Sequence, residues 1–471
     1  MLSQFGRTVI YSDVQEVTAD NLIRVLQMCY PAHQQNVNSI NFLYDYYKGK
    51  QEILNRKKEV RPEINNKIVV NTANEIVSFK VGYLAGEPIQ YISRNGDDTV
   101  SKEVSRLNDM MLLHAKHSLD KEIIEWNTIC GTAYRICLPD KNNEEAPFET
   151  YTLDPRNAFV IYSSRLGNKP LAGVYLTHTE NGTVYSVYTE RYYFETMNMQ
   201  PPVVAKTHAL HMIPIIEYPA NTARLGAFEP VIDLLDAINM VTSNRVDGIE
   251  QFIQSLTVLY NCELPEGTSA NTIREYGLIT LNDVDERKKA DLKILSQELN
   301  QEQTQTLVDH MYDMVLKIVG MPSQANGGTS DSSNNGAVIL KNGWQSAEAR
   351  AKDSELMFKQ SERKFLKLTL TILETLSDLK LKSSDVDFRF TRRCYEDILS
   401  KSQVLTTMLA TDKIDPQLAF NVCGLFTDPE EAYLQSLAWY EKSKETQPVE
   451  QPVVEEQDDT GNTEEVQIED R

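Results

Sequence analysis

The stretch QEQTQTLVDHMYDMVLKIVGMPSQANGGTSDSSNNGAVILKNGWQSAEARAKDSELMFKQSERKFLKLTLTILETL, residues 301–376, changes character twice. Gln301–Val319 has helical periodicity and stops at Gly320, with Pro322 just beyond, the usual punctuation of a helix C-terminus. Ser323–Gly336 then has almost no apolar residue and is rich in Gly, Asn and Ser. A structureless connection of that length inside a globular region is uncommon and generally functional or disordered. From Ala337 to Leu376 an apolar stripe resumes at Leu340, Trp344, Ala347, Ala351, Phe358, Phe365, Leu368, Ile372 and Leu376. At ~1.5 Å per residue this predicts a helix roughly 60 Å long.

Towards the N-terminus, residues 229–256 carry Val231, Leu234, Leu235, Ile238, Val241, Ile249, Phe252, Ile253 and Leu256 at helical spacing, with Pro230 suited to the first turn. Asp233, Asp236, Asp247 and Glu250 fall away from most of that stripe. Residues 257–298 read as short strands and turns, punctuated by Gly267, Gly277 and the charged run Asp283–Asp291. The order is therefore helix, small β-rich insertion, returning helix, polar loop, very long helix. Such bracketing helices expose apolar surface that one chain alone is poorly placed to bury, which suits a subunit packing against copies of itself around an axis. The plainer alternative is a multi-helix enzyme domain.

The remaining segments are ordinary. Residues 1–60 read as polar and helical, with one segment capped by Thr18-Ala19-Asp20 ahead of Leu22–Met28 and a second over Asn41–Leu54. Lys57, Lys58 and Arg61 read as a solvated loop. Asn71–Leu84 and residues 103–128 read as helices, and Tyr134–Leu138 and Phe148–Leu153 open a β region. In GVYLTHTENGTVYSVYTE two alternating strands flank Asn181-Gly182, the pair a type I′ hairpin favours, and Arg191–Glu195 reads as a third strand. Residues 379–445 read as further short helices. From Thr446 the chain is acidic and aperiodic, the composition of a disordered tail.

With 47 Lys and Arg against 68 Asp and Glu, the net charge is -21, which argues against a surface that wraps nucleic acid tightly but not against one that holds DNA loosely. The six cysteines, Cys29, Cys130, Cys137, Cys262, Cys394 and Cys423, form no C-x-x-C pair, so neither a zinc site nor a disulfide framework is expected, and reduced thiols in a cytoplasmic setting are. No run of ~18 apolar residues predicts a membrane span, and the N-terminus has no signal-peptide pattern. There is no P-loop, G-x-G-x-x-G, H-E-x-x-H or G-x-S-x-G motif. The pairs His114/His117 and His208/His211 are too few for a metal site. The expectation is a non-enzyme with no catalytic residue, cofactor or metal.

Taken in order, NNKIVVNTANEIVSFKVGYLAGEPIQY, CGTAYRICLPD, LDPRNAFVIY, IPIIEYPAN with GAFEPVIDLLDAINMVTSNRVDGIEQF, and NNGAVILKNGWQSAEARAKDSELMF make the chain resemble the portal proteins of tailed bacteriophages, of the type found in siphophages of Gram-positive hosts. The resemblance spans about Ile64 to Asp378. It implies an α+β, mainly α fold: an N-terminal helical arm (1–40), an α+β wing (41–228), stem helices (229–255 and 299–321), a small β-rich clip (256–298), a tunnel loop (322–336), a long channel-to-wing helix (337–378), a helical crown (379–445) and the acidic tail (446–471).

The resemblance further implies a homo-oligomeric ring of about twelve subunits in the virion, at the portal vertex of the capsid. Double-stranded DNA would pass through it during packaging and ejection. Partners would be the terminase large subunit, the head–tail connector, and capsid and scaffolding proteins, with assembly in the host cytoplasm. Ser323, Gln324, Asn326, Gly327, Gly328, Thr329, Ser330, Asp331, Ser332, Ser333, Asn334 and Asn335 would face DNA. Asp233, Asp236, Asp247, Glu250 and Lys317 would be the stem charges, and Glu263, Glu266, Asp283, Asp285, Glu286 and Arg287 the clip residues that dock partners. A connector or capsid component that also forms rings, or an unrecognised α+β enzyme, are the competing readings.

Overall fold

The computed structural model describes residues 6–59, 61–94, 98–253, 256–260, 262–263, 282–283, 291–295, 301–323, 343–392, 398–411, 413–426 and 429–445. These fall into two compact units, divided between Arg393 and Cys394.

The larger unit begins with strand β1 (Ile10–Ser12) and helix α1 (Leu22–Tyr47), followed by helix α2 (Thr72–Ala85), strand β2 (Gln90–Ser93) and helices α3 (Asp98–Leu113) and α4 (Lys116–Cys130). Strands β3 (Thr132–Pro139), β4 (Phe148–Leu153), β5 (Ala158–Ser163), β6 (Pro170–Thr179), β7 (Gly182–Tyr188), β8 (Tyr192–Met197), β9 (Gln200–Thr207) and β10 (Ile215–Pro219) come next. They form a six-stranded sheet in the order β1-β5-β6-β7-β8-β9 and a three-stranded sheet β10-β3-β4. Helix α5 (Ile232–Ile253) leads into the two-stranded pairs of β11 (Leu256–Tyr260) with β14 (Asp291–Leu295) and β12 (Cys262–Glu263) with β13 (Asn282–Asp283). Helices α6 (Gln301–Val319) and α7 (Trp344–Leu376) and strand β15 (Val386–Arg389) complete the unit. The mixed α+β architecture matches the expected fold class.

Several local expectations need correction. The N-terminal region is not two helices: α1 runs unbroken through Pro31. Its first half buries Leu22, Val25, Leu26 and Cys29 against the large sheet, and its second half buries Ile40, Leu43 and Tyr46 in the main core. The polar middle that hid this continuity spans two cores, and Asn36 there bonds both the N–H and the C=O of Thr8, each at 2.8 Å. Residues 6–12 are also not a helical arm, because β1 joins the large sheet parallel to β5. No side chain caps α1; Asn21 instead takes the Thr18 N–H at 2.9 Å. The helix expected over 103–128 is two helices, broken where Ala115 adopts φ +49°.

The hairpin between β6 and β7 forms, but Thr179 pairs with Gly182, so Glu180 and Asn181 make its tip. Only Gly182 there has positive φ. The neighbouring hairpin dictates this: Asn198 Oδ1 accepts the Thr183 N–H at 2.9 Å, and a Cβ on Gly182 would meet the Asn198 amide at 2.4 Å. The two-residue turn with both φ values positive is Asn198-Met199, joining β8 to β9. Residues 379–392 hold no helix; β15 there pairs antiparallel with β2 and places Phe388 beside Tyr91 in the main core.

The smaller unit contains helices α8 (Ile398–Leu409), α9 (Pro416–Cys423) and α10 (Pro429–Glu445). Asp415 caps α9 by accepting the Gln417 N–H, Pro416 occupies its first turn, and Gly424 ends it in a left-handed conformation. Phe420 is buried between Phe426 and Tyr433.

Candidate channel-forming elements

Helices α5 and α6 pack together as the two arms that bracket the small β pairs. The boundary of α6 follows from its sequence. Gly320 has φ +72°, its N–H reaches the Lys317 carbonyl, and the Met321 N–H reaches that of Leu316 at 2.8 Å. This is a Schellman closure, and Met321 and Leu316 are both buried in the main core. Beyond it, Ser323 donates its hydroxyl hydrogen to Asp313 of the same helix. Of the residues expected to face DNA, Ser323 alone lies among those described. Gln324, Asn326, Gly327, Gly328, Thr329, Ser330, Asp331, Ser332, Ser333, Asn334 and Asn335 lie outside them.

Helix α7 covers the long apolar stripe from Trp344 on, with Ala347, Ala351, Phe358, Phe365, Leu368 and Ile372 buried. Its 33 residues correspond to roughly 50 Å; residues 337–342 lie outside the described residues.

Helix α5 departs from the reading of its stripe. Val231, Leu235 and Ile238 are buried, but Ile249 is half exposed. The face that goes inward past Ile238 is polar: Asn239, Ser243 and Asp247, spaced four apart, are all buried. Each accepts a backbone N–H from an extended segment running beside the helix. Val70 donates to Asn239 at 2.8 Å, Ile68 to Ser243 at 3.0 Å and Asn66 to Asp247 at 2.8 Å. Two residues of extended chain advance ~6.6 Å and four residues of helix ~6.0 Å, so the two periods mesh. The extended segment thus satisfies every second N–H without a partner strand.

The charges expected on the stem divide accordingly. Asp233 is exposed, Asp236 accepts the Tyr46 hydroxyl at 2.9 Å, and Glu250 is half-buried. Burial raises Asp236 above the usual carboxylate value, against the opposing hydrogen bond from Tyr46. Asp247 is enclosed by Arg56 at 3.1 Å and Lys58 at 2.5 Å. Burial alone would raise its carboxyl, but Lys58 and the Asn66 donors hold it below the usual range. Lys58 is therefore a buried-ion partner rather than part of a solvated loop. Lys317 pairs with Asp313 at 3.0 Å and stays largely exposed. Of the residues expected to dock partners, Glu263 and Asp283 lie on β12 and β13, where Glu263 pairs with Asn282 and Asp283 with Cys262. Glu266, Asp285, Glu286 and Arg287 lie outside the described residues.

Sequence reasoning missed a second polar cluster, which fixes α7 to the sheet. Lys116 and Asp120 of α4, Arg135 of β3 and Glu362 of α7 are all buried. Lys116 Nζ lies 2.5 Å from Asp120 and 2.8 Å from Glu362, and Arg135 lies 2.5 Å from Asp120 and 3.2 Å from Glu362. Tyr91 and Tyr218 donate to the two Glu362 oxygens at 2.6 and 2.7 Å. Desolvation would push the Glu362 carboxyl up, but Lys116 and Arg135 hold it at about 2. The i, i+4 spacing of Lys116 and Asp120 was a visible local signal; nothing local marks Arg135 or Glu362 as their partners.

Among the described residues no three His, Cys, Asp or Glu side chains converge as a metal site would require, and no helix is long and apolar enough to cross a membrane. His114 packs on Phe148 with its Nε2 3.3 Å from the Ala146 carbonyl, and His208 bonds the Thr189 carbonyl at 3.0 Å. Cys29, Cys130, Cys137 and Cys423 are buried free thiols. Burial pushes the Cys130 and Cys137 thiols up to about 12, so they are inert at neutral pH.

Comparison with curated proteins finds no match. The family described as "Phage portal protein, SPP1 Gp6-like" matches residues 26–448, which include both bracketing helices, the β pairs between them and the long helix. With all but the first 25 and last 23 residues matched, the chain belongs to the SPP1 Gp6-like family of phage portal proteins.

Proposed function

We propose that about twelve copies of this chain close into a ring with cyclic symmetry at one capsid vertex, and that double-stranded DNA passes through the ring during packaging, retention and ejection. The observation that carries this reading is the succession α5, small β pairs, α6, polar segment, α7 within the family match. In this reading α5 and α6 are the stem, and residues 256–298 are the clip, which docks the terminase during packaging and the head–tail connector afterwards. Residues 322–336 form the tunnel loop and 337–378 the long channel-to-wing helix. The wing meets capsid and scaffolding proteins, and assembly takes place in the host cytoplasm.

The acidic balance fits a conduit. Each Lys or Arg contact to a phosphate adds affinity by releasing counterions, so a channel poor in such contacts lets DNA slide. The terminase would supply the energy, since the sequence has no P-loop. Native mass spectrometry and electron microscopy of the purified chain test the reading. A ring of about twelve copies with a central channel is expected; a stable monomer at micromolar concentration would refute it.

A further inference from the structure

Two features of the larger unit have complementary chemistry and lie apart on one chain. The first is a cavity of about 600 Å³ walled by Phe79, Tyr83, Ile124, Ile318, Leu356 and Phe358. Ile318 and Leu356 are substantially exposed, at 42% and 67%. Besides Tyr83, which donates to Glu348, and Thr128, which donates to the Ile124 carbonyl, the polar groups lining this cavity include Asn127, Lys80, Arg350 and Asp353. Asn127 is 9% exposed, and its buried Oδ1 has no hydrogen-bond partner. Lys80 and Arg350 also line the cavity, and neither enters an ion pair among the described residues. Burial, with the Arg350 charge nearby, draws the Lys80 ammonium down to about 8. An occupant that satisfied this site would bring apolar side chains, a carboxylate for the two cations and an N–H for Asn127.

The second feature is the C-terminal turn of α3. Leu112 and Leu113 are 76% and 58% exposed, beside the left-handed break at Ala115. Asp109, three and four residues earlier, is exposed on the same helix face and forms no ion pair among the described residues. This end of α3 adjoins the Lys116 end of α4, whereas the cavity is lined by Ile124, Asn127 and Thr128 towards its other end. The eleven residues from Lys116 to Asn127 separate the two by roughly 16 Å along the helix.

We propose that Leu112 and Leu113 of one subunit enter the cavity of a second copy of this chain, with Asp109 facing Lys80 and Arg350. The inference rests on the ring reading above and deepens it. Knob and socket are different surfaces, so the contact is head-to-tail and propagates around an axis until it closes.

The test is a cysteine pair, Leu113→Cys with Leu356→Cys, in the full chain, oxidised and resolved on a non-reducing gel. A ladder of covalent multimers extending to the ring size is expected, with no ladder from either single variant. A companion pair checks the charge: Asp109→Lys should raise the concentration needed for assembly at least tenfold, and Lys80→Glu in the same chain should reverse part of that loss. Rings seen by native mass spectrometry whose chains stay unlinked, or link only in pairs, overturn this contact and leave the ring standing. Unlinked monomers of both wild type and variant overturn both.

Discussion

Glu362 carries its charge in the middle of the larger unit, with two cations and two tyrosine hydroxyls arranged around it. Removing one partner from such a set leaves the others buried and uncompensated, which typically costs about 3–5 kcal/mol. Glu362→Ala should therefore lower the urea midpoint of the larger unit far more than a surface Glu→Ala, with little salt dependence because the pair is out of reach of counterions. Its acid dependence has a definite sign. The folded carboxyl is depressed from the ordinary 4.5 to about 2, so its contribution is complete above pH 4.5 and lost as the pH falls towards 2. Denaturation curves taken across that window should show the wild type losing stability steeply and Glu362→Ala losing less; parallel curves would contradict the assignment.

Among the elements, α5 illustrates how a helix can be buried through a polar face. The Asn239, Ser243 and Asp247 stripe holds the 66–70 segment through the backbone N–H groups of residues 66, 68 and 70, and the Asn66 side-chain amide adds a second bond to Asp247 at 2.9 Å. Ser243→Ala removes the acceptor for the Ile68 N–H and should cost about 1–3 kcal/mol. Amide exchange at Ile68 should quicken while exchange within the large sheet stays unchanged. The end of α6 is fixed as tightly. Gly320→Val places a β-branched residue at φ +72°, and its Cβ would meet Arg350 at 2.8 Å. It should destabilise the α6 terminus, read as a lower thermal midpoint, by more than the same change at Gly82, where a Cβ meets nothing within 4 Å.

At the scale of the whole molecule, two segments outside the described residues can be removed to test assembly and packaging. Residues 446–471 hold nine acidic residues and one basic residue, Arg471, with few apolar groups to bury. Truncation at Thr446 should leave ring assembly intact by native mass spectrometry; monomers would show the tail to be structural. Deleting Gly327–Ser333 tests the proposed tunnel loop. Rings should still form, but phage carrying only the deleted form should package or retain less DNA. Full packaging and retention in such phage would remove the role assigned to the segment.

The succession of elements was legible because each is written in local terms: the 3.6-residue stripe of α7, the Gly320 and Pro322 stop after α6, the alternation on either side of Asn181. Those local terms, taken in order over most of the chain, also carried the family. What they could not carry is any pairing between distant residues. Arg135 and Glu362 are 227 positions apart, Ile68 and Ser243 175, and β2 pairs with β15, the last strand of the unit. The distant partner of a buried charge or of a lone backbone donor has no periodicity to betray it, because it is set by which surfaces pack together. For the same reason Asp247 and Lys58 read as solvent-facing charges until tertiary structure enclosed them, because taking a carboxylate out of water is tolerable only where cations and N–H donors already converge.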